Sequence, residues 1–131
     1  MQRDYKEYTI FDAQGATGQG NVILCDDATH AIVSIDSDNS ANLTLKFAGS
    51  IADPAPDFTA AQSPTNSFDY LQAKDLEDGS SIDGDTGFAV SGTDDNRLWE
   101  ININAVRYLT GVVTARSAGD VTVKVRIYNN S

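Results

Sequence analysis

A chain of 131 residues with a hydrophobic fraction of 40% is long enough to bury the core of one domain, and we expect residues 1–131 to form that domain. The formal net charge of −10 argues against nucleic acid as a partner, because binding to a phosphate backbone depends on cationic contacts. No apolar run approaches the roughly 20 residues that span a bilayer, so we expect no membrane partner.

The first third of the chain carries four segments that are typical of β-strands, each bounded by turn residues. They are residues 5–11, 21–25, 30–35 and 41–47. The charged residues 1–7 lack the apolar region of a secretory signal, which predicts an intracellular site of synthesis.

The single cysteine of the chain, Cys25, cannot form an internal disulfide, and we expect it to be a small buried hydrophobe. His30 lies five positions later, so a nucleophile and base pair is conceivable. No other residue pattern supports catalysis by this pair, and we expect His30 to be a structural or surface side chain.

The amino-acid composition changes over residues 49–67, where prolines, alanines and small polar residues replace the β-branched pattern. This predicts a long connection, with a possible helical turn over 57–62 capped by Asp57. Because loops of this length in compact domains are often functional, we expect a contact arm with Pro54, Pro56 and Phe58 as candidate partner-binding residues.

Residues 75–85 form an acidic, glycine-containing stretch with many oxygen ligands. If a hard cation such as calcium binds here, Asp78, Asp83 and Asp85 are its candidate ligands. The order of an EF-hand loop is absent and no helices flank the stretch, so we interpret these acids as solvated turn residues and expect no metal and no cofactor.

Two clean alternations follow in the last third of the chain. In residues 97–104, Trp99, Ile101 and Ile103 share one face, which predicts a buried Trp99. In residues 121–128, the face that we expect to be buried is formed by Val121, Val123, Val125 and Ile127.

The opposite face of residues 121–128 presents Lys124 and Arg126 to solvent. Residues 1–100 hold five Lys or Arg against eighteen Asp or Glu, whereas residues 101–131 hold four against one, so the charges of −13 and +3 sum to −10. Lys124 and Arg126 therefore either pair with acids of the same chain or contact an acidic partner. We expect residues 106–116 to form a hairpin with this last strand.

About nine short strands with regular turn signals predict an all-β fold, an antiparallel β-sandwich that is jelly-roll-like or immunoglobulin-like. Paired carboxylates are common in the chain, but they lie in turns and not on strands that could line a cleft. We therefore expect no enzymatic activity.

Three segments near the end of the sequence carry a resemblance to a known family. They are the strand that contains Trp99 and ends in Ile101-Asn102-Ile103-Asn104, then Arg107-Tyr108-Leu109 leading into Val113-Thr114-Ala115, and then the run from Gly119 to Val125. This pattern resembles the C-terminal half of small β-sandwich virion proteins of tailed bacteriophages, which are capsid-decorating, head-auxiliary or tail-associated proteins. The family has no catalytic residues to carry over.

The resemblance implies a capsid decoration or cement protein that binds the phage head in many copies, with the major capsid protein or other virion proteins as partners. It further implies a homo-oligomer, in the first place a trimer, made in the host cytoplasm and located on the capsid surface of the virion. A tail, neck or fibre component is an alternative within the virion class. An alternative of another class is a carbohydrate-binding or adhesion module, in which aromatic side chains stack on sugars; the candidates are Tyr70, Tyr108, Tyr128 and Trp99.

Overall fold

A computed structural model describes residues 5–38, 40–91 and 96–129, which form twelve strands in two antiparallel six-stranded sheets. The all-β sandwich expected from the sequence is confirmed. The strands are β1 (Tyr5–Gln14), β2 (Gly18–Gln19), β3 (Ile23–Leu24), β4 (His30–Ser37), β5 (Asn42–Ser50), β6 (Asp69–Tyr70), β7 (Ala73–Asp75), β8 (Ser81–Ile82), β9 (Phe88–Ser91), β10 (Asn96–Asn102), β11 (Tyr108–Ala118) and β12 (Val121–Tyr128).

The described strands outnumber the nine or so expected, because several two-residue strands form inside segments that read as loops. β2, for example, pairs with β11 within a glycine-rich turn, and β8 pairs with β7 within the acidic stretch. Segments this short carry no alternation that could reveal them in a sequence.

Sheet A has the strand order β1-β12-β4-β10-β7-β8. β12 pairs along its whole length with β4, from Val121 opposite Ser37 to Tyr128 opposite His30. On its other side it pairs with β1, where Tyr5 lies opposite Tyr128. The first and last strands of the fold are therefore neighbours.

Sheet B is built around the long antiparallel pair of β11 and β5. β2 and β3 follow one another along the free edge of β11, and β6 and β9 do the same along the free edge of β5. The two central strands thus have partners on both sides over much of their length.

The predicted C-terminal hairpin is wrong, because β11 belongs to sheet B and β12 to sheet A. The connection between them crosses the sandwich at Gly119, which has a φ of 77°. It lies beside the crossing from β4 to β5, where the backbone N–H groups of Asp38 and Asp120 each donate a hydrogen bond across the two connections. Alternation along a strand determines which face is buried, but it does not determine the neighbouring strand.

The main core lies between the sheets and is formed by the inward side chains of both. All four residues expected to face it from β12 are at most 3% exposed, and Trp99 is also buried, as predicted. The largest fully buried side chains of this core are Ile10, Val33, Leu45, Phe47, Ile101, Ile103, Leu109, Val113, Val121, Val123 and Val125.

A second, smaller core lies on the outer face of sheet B, under the connection of residues 51–68. It consists of Ala48 and Val112 from the sheet and Phe58 and Phe68 from the connection. Hydrogen bonds from Ser50 Oγ to the Ser67 carbonyl (2.6 Å) and from the Phe58 N–H to Gln19 Oε1 (3.1 Å) close the edges of this layer. The connection is therefore a packed third layer and not a free arm.

The helical turn expected over residues 57–62 does not form. The chain makes a non-helical turn here, in which Asp57 Oδ1 accepts hydrogen bonds from the N–H and the hydroxyl of Thr59. Among the described residues there is no helix long and apolar enough to cross a membrane.

Candidate functional site

The outer face of sheet A presents two ordered rows of side chains across its four long strands. Strand register places Glu7, Arg126, Ile32 and Glu100 in one row. The next row contains Thr9, Lys124, Ser34 and Leu98. We call these eight residues the sheet A face.

Arg126 is exposed on the sheet A face, as predicted, and it has partners within the chain. Its Nη2 lies 3.2 Å from Glu7 Oε1, and its guanidinium lies 4.0 Å from the centroid of the Tyr5 ring. An exposed ion pair contributes only about 0.2–1 kcal/mol, so this arrangement mainly orients the arginine.

Lys124 is also exposed, as predicted, and among the described residues no ion pair within 4 Å involves it. It borders a shallow depression of about 320 Å³ whose lining includes Ile32, Ser34 and Leu98. Leu98 is 51% exposed although it lies in the middle of a sheet. Leu98 and Lys124 thus place an exposed apolar side chain and a cation beside one depression, which Glu7 and Arg126 also line.

The other partner-binding candidates lie on the opposite side of the molecule. Pro54 is exposed and Pro56 half-buried in the connection over sheet B, near the ion pair of Asp53 with Arg107 (3.3 Å). Phe58 departs from the expectation, because it is 1% exposed and packs on Phe68 with ring centroids 5.2 Å apart. Its side chain holds the connection in place and is not at the surface.

The three candidate calcium ligands do not converge. Asp78 Oδ1 accepts a hydrogen bond from the Ser80 N–H, and Asp83 Oδ2 accepts one from the Thr86 N–H. Asp85 lies near Tyr70, where burial of the phenol and, to a lesser extent, the charge of Asp85 raise the tyrosine pKa. Over the described part of the chain, no group of three His, Cys, Asp or Glu side chains could hold a metal ion.

Cys25 and His30 are both occupied by structural contacts. Burial raises the pKa of the Cys25 thiol to about 11, with a further contribution from Asp26, so the thiol is protonated near neutral pH. His30 Nδ1 lies 2.9 Å from Thr29 Oγ1, and its ring stacks on Tyr128. A protonated Cys25 thiol and a His30 ring held by Thr29 and Tyr128 do not favour a nucleophile and base pair.

The candidate sugar-stacking aromatics are dispersed. Tyr70 and Tyr108 border the second core, Tyr128 lies on the outer side of sheet A, and Trp99 lies between the sheets. These four rings therefore form no common planar platform.

A cleft that sequence reasoning missed lies between the sheets where β9 faces β7 and β10. It has a volume of about 220 Å³, and its polar lining consists of Asp75, Asp78, Ser80, Arg97 and Trp99. Arg97 Nη2 lies 2.6 Å from Oδ2 of the buried Asp75. We call this the inter-sheet cleft.

The indole of Trp99 is 3% exposed, and its Nε1 has no hydrogen-bond acceptor within the described residues. A buried donor without an acceptor costs about 1–3 kcal/mol, so this group is a feature that needs an explanation. The parity of Arg97 with Trp99 and Ile101 was a signal in the sequence, because it points a charged side chain toward the inside of the sandwich.

Comparison with solved structures finds proteins that share this fold. The chain is similar to SPBc2 prophage-derived protein YomS, with a TM-score of 0.71 and 16% sequence identity over 98% of this chain and 96% of that one. It is also similar to PBSX exported protein XepA, with a TM-score of 0.74 and 13% identity over 98% of this chain and 39% of that one. No protein-family model and no curated protein sequence matches the chain. At these identities the likeness establishes a shared fold.

Proposed function

We propose that this chain is a non-enzymatic structural protein of a bacteriophage particle, and specifically a decoration protein that binds the capsid surface in many copies. The observation that carries this proposal is the likeness to prophage-derived YomS, which extends over nearly the full length of both chains. A shared fold supports a shared biological setting only by analogy, so the attachment surface has to be argued from the residues themselves.

The sheet A face is the attachment surface that we propose. It lies on four long strands that pair with one another in the order β1-β12-β4-β10, and so offers a rigid platform. Lys124 and Leu98 supply a cation and an exposed apolar side chain within one depression. With Lys124 and Arg126 against Glu7 and Glu100, the sheet A face carries no net charge, so it can approach an acidic surface that the rest of this chain of net charge −10 would repel.

Many weak contacts of this kind add up on a lattice. A single depression of about 320 Å³ is small for tight binding, but linked copies convert later contacts into intramolecular ones. We therefore propose a homotrimer that engages the major capsid protein with three equivalent faces. Light scattering on the free protein measures this oligomeric state. A protein that stays monomeric at all concentrations would contradict the homotrimer and the avidity that linked copies provide.

Co-sedimentation with undecorated capsids tests the attachment surface. Lys124→Glu should weaken capsid binding at least about tenfold, because it places an acid opposite an acidic surface. The matched control is Lys46→Glu, which makes the same charge change on a half-buried lysine of sheet B. Equal binding of both variants would exclude the sheet A face, and no binding of the wild type to any capsid form would contradict the decoration role.

The copy number in purified particles separates decoration from the alternatives within the virion. Mass spectrometry should find on the order of hundreds of copies per particle for a protein that covers a lattice, whereas a neck or fibre protein should be present in few. Treated particles that lose their tails but keep the protein would distinguish the head from a tail tube. Recovery only from the medium, free of particles, would favour an exported protein, as XepA is described to be.

A further inference from the structure

The charged row of the sheet A face continues onto β7, because Lys74 lies opposite Glu100 in the strand register. From β1 to β7, the extended row consists of Glu7, Arg126, Ile32, Glu100 and Lys74. All five side chains are exposed or half-buried on the outer side of the sheet. Two charges of opposite sign thus lie on each side of the uncharged Ile32.

The order of these charges makes the row complementary to its own reverse. Glu7 and Lys74 lie two strands from Ile32 on either side, and they have opposite signs. Arg126 and Glu100 lie one strand from Ile32 on either side, and they also have opposite signs. If the row is laid against a reversed copy of itself, every charge therefore meets a charge of the opposite sign.

A two-fold axis supplies this reversal. An axis parallel to β4, in front of Ile32, turns a second copy over, so that the strands of both copies run in the same direction and their lateral order is reversed. Arg126 of each copy then faces Glu100 of the other, Glu7 faces Lys74, and the two Ile32 side chains meet on the axis. Stacked sheets ordinarily keep their strand directions within about 30° of each other, so this arrangement is compatible with the twist of both sheets.

The neighbouring row of the sheet A face fits the same axis. Leu76, directly after β7, donates its N–H to the Leu98 carbonyl (3.1 Å), which extends this row by one strand as well. Leu98 is 51% and Leu76 47% exposed. The reversed copy places Leu98 against the aliphatic stem of Lys124, and Leu76 against Thr9. The same contact therefore covers two exposed leucines while it pairs the charges.

We propose that two copies of this chain associate through their sheet A faces about this two-fold axis. The occupant of the face is a second copy because the row itself carries the complementary charges in the required order. Each ion gains a partner across the contact in addition to its neighbour in the sheet, which for Glu7 and Arg126 lies at 3.2 Å. Complementary charges of this kind fix the orientation and register of a contact.

The size of the face predicts a weak contact. The face is five strands wide and follows the 8 residues of β4 and of β12. At about 4.8 Å between strands and about 3.3 Å per residue, this gives roughly 500 Å² of projected area on each copy. Stable interfaces bury about 800 Å² per partner, and smaller ones are typical of transient encounters. We therefore expect an association that depends on protein concentration, with a Kd of about 0.01–1 mM.

This contact needs only the free protein, so it does not rest on the function proposed above. It uses the surface proposed for attachment, and a second copy and a capsid therefore compete for that surface. In a homotrimer whose three faces point toward the capsid lattice, the same contact joins two trimers. A lattice that offers many linked sites then displaces the second copy through avidity.

Sedimentation equilibrium of the free wild-type protein between about 10 µM and about 1 mM tests the association. The mass of the smallest species, whether monomer or trimer, should double over this range. Arg126→Glu should weaken the association at least about tenfold, because it places an acid against Glu100 of the other copy. Glu100→Arg should do the same by placing two arginines together. Lys74→Glu, which places an acid against Glu7 of the other copy, tests the outer end of the row independently.

A mixture of Arg126→Glu and Glu100→Arg gives the sharpest measurement. In the mixed pair, the acid introduced at position 126 faces the arginine introduced at position 100, and the remaining Arg126 faces the remaining Glu100. The mixture should therefore associate about as strongly as the wild type, although neither variant does so alone. Each substitution changes the net charge of −10 by two, so both variants stay acidic, and attraction between oppositely charged molecules cannot produce this result.

Arg116→Glu is the matched control, because it makes the same charge change on an exposed arginine of β11 in sheet B. It should double in mass like the wild type, and thermal unfolding should show that the variants are folded. A wild type whose mass does not double up to about 1 mM would overturn the proposal. So would equal weakening by Arg116→Glu and Arg126→Glu, or a mixture that associates no better than its two components.

Discussion

Burial of the Cys25 side chain makes the stability of the fold depend on pH. The thiol is 1% exposed, and burial raises its pKa from the usual 9.0 to about 11. Between these two values the unfolded chain loses its thiol proton while the folded chain keeps it. The contribution of the thiol to stability is therefore complete below about pH 9 and is lost as the pH rises toward 11.

We predict that the free energy of unfolding of the wild type falls by on the order of 2 kcal/mol relative to Cys25→Ala between pH 8 and pH 11. Urea unfolding of both proteins at several pH values measures this difference. Ionisation of Tyr70, whose pKa is also raised by burial, affects both proteins alike. Parallel pH profiles would mean that the thiol is ionised in the folded state as easily as in the unfolded one.

Single residues also show what a sequence can say about a site. The buried Trp99 and the exposed Lys124 and Arg126 follow from local alternation, and the burial of Cys25 follows from its hydrophobic character; all are confirmed. The pairing of Arg97 with Asp75 does not follow in the same way, because β7 and β10 are neighbours only through the fold. Phe58 was misplaced because a lone aromatic in a proline-rich segment has no periodicity to assign it to a face.

At the scale of elements, the sequence predicts which face of a strand is buried, but it does not predict which strands pair. β10 and β12 have the buried faces that their alternation predicts. The pairing of β12 with β1 and β4 instead of β11 depends on two crossings between the sheets, and each crossing is short enough to read as a hairpin turn. Short turn-like linkers usually join strands that pair as hairpins, so the local sequence pattern predicts a hairpin of β11 and β12 that does not form.

The crossing at Gly119 provides a test of that topology. A Cβ at this position would overlap the backbone of Ala41 in the neighbouring crossing, and the φ of 77° is already unfavourable for a side chain. Gly79 has a φ of 80° but nothing within 4 Å of a built Cβ. Both glycines therefore carry the same backbone penalty, and only Gly119 carries the overlap.

We predict that Gly79→Ala lowers the free energy of unfolding by about 1–2 kcal/mol, and Gly119→Ala by at least about 2 kcal/mol more. Urea unfolding of the two variants measures the gap. Equal losses would show that the two crossings do not lie against each other.

The third layer over sheet B makes a second prediction about an element. Phe58→Ala should lower the free energy of unfolding by about 3 kcal/mol, because it removes one of the two buried phenylalanines of the second core and exposes Phe68 and Val112. Thr65→Ala, exposed in the same connection, should change it by no more than about 0.5 kcal/mol. If the connection were a free arm, the two variants would unfold alike in urea.

At the scale of the whole molecule, charge dominates. A net charge of −10 on 131 residues predicts self-repulsion that salt relieves. Because the described acids do not gather into a group that could hold a metal, a divalent cation should act only through ionic strength.

We predict that thermal unfolding shifts to higher temperature as sodium chloride is added, and that calcium at matched ionic strength gives the same curve as sodium or EDTA. Differential scanning calorimetry makes this comparison. Stabilisation by micromolar calcium beyond the sodium curve would instead indicate a cation site involving Asp78, Asp83 or Asp85.

The position of β12 between β1 and β4 also sets the order in which the chain can assemble. Tyr5 of β1 lies opposite Tyr128 of β12 on the neighbouring strand, so the ladder of β1 in this sheet cannot form until β12 has been synthesised. Until then β4 has only β10 beside it in that sheet. Contacts this distant in sequence make folding slow, in the range of milliseconds to seconds for sandwiches, and sheet A can be completed only after β12 has been synthesised. A nascent chain lacking that strand would expose the unpaired edges of β1 and β4, the kind of surface that chaperones protect from aggregation.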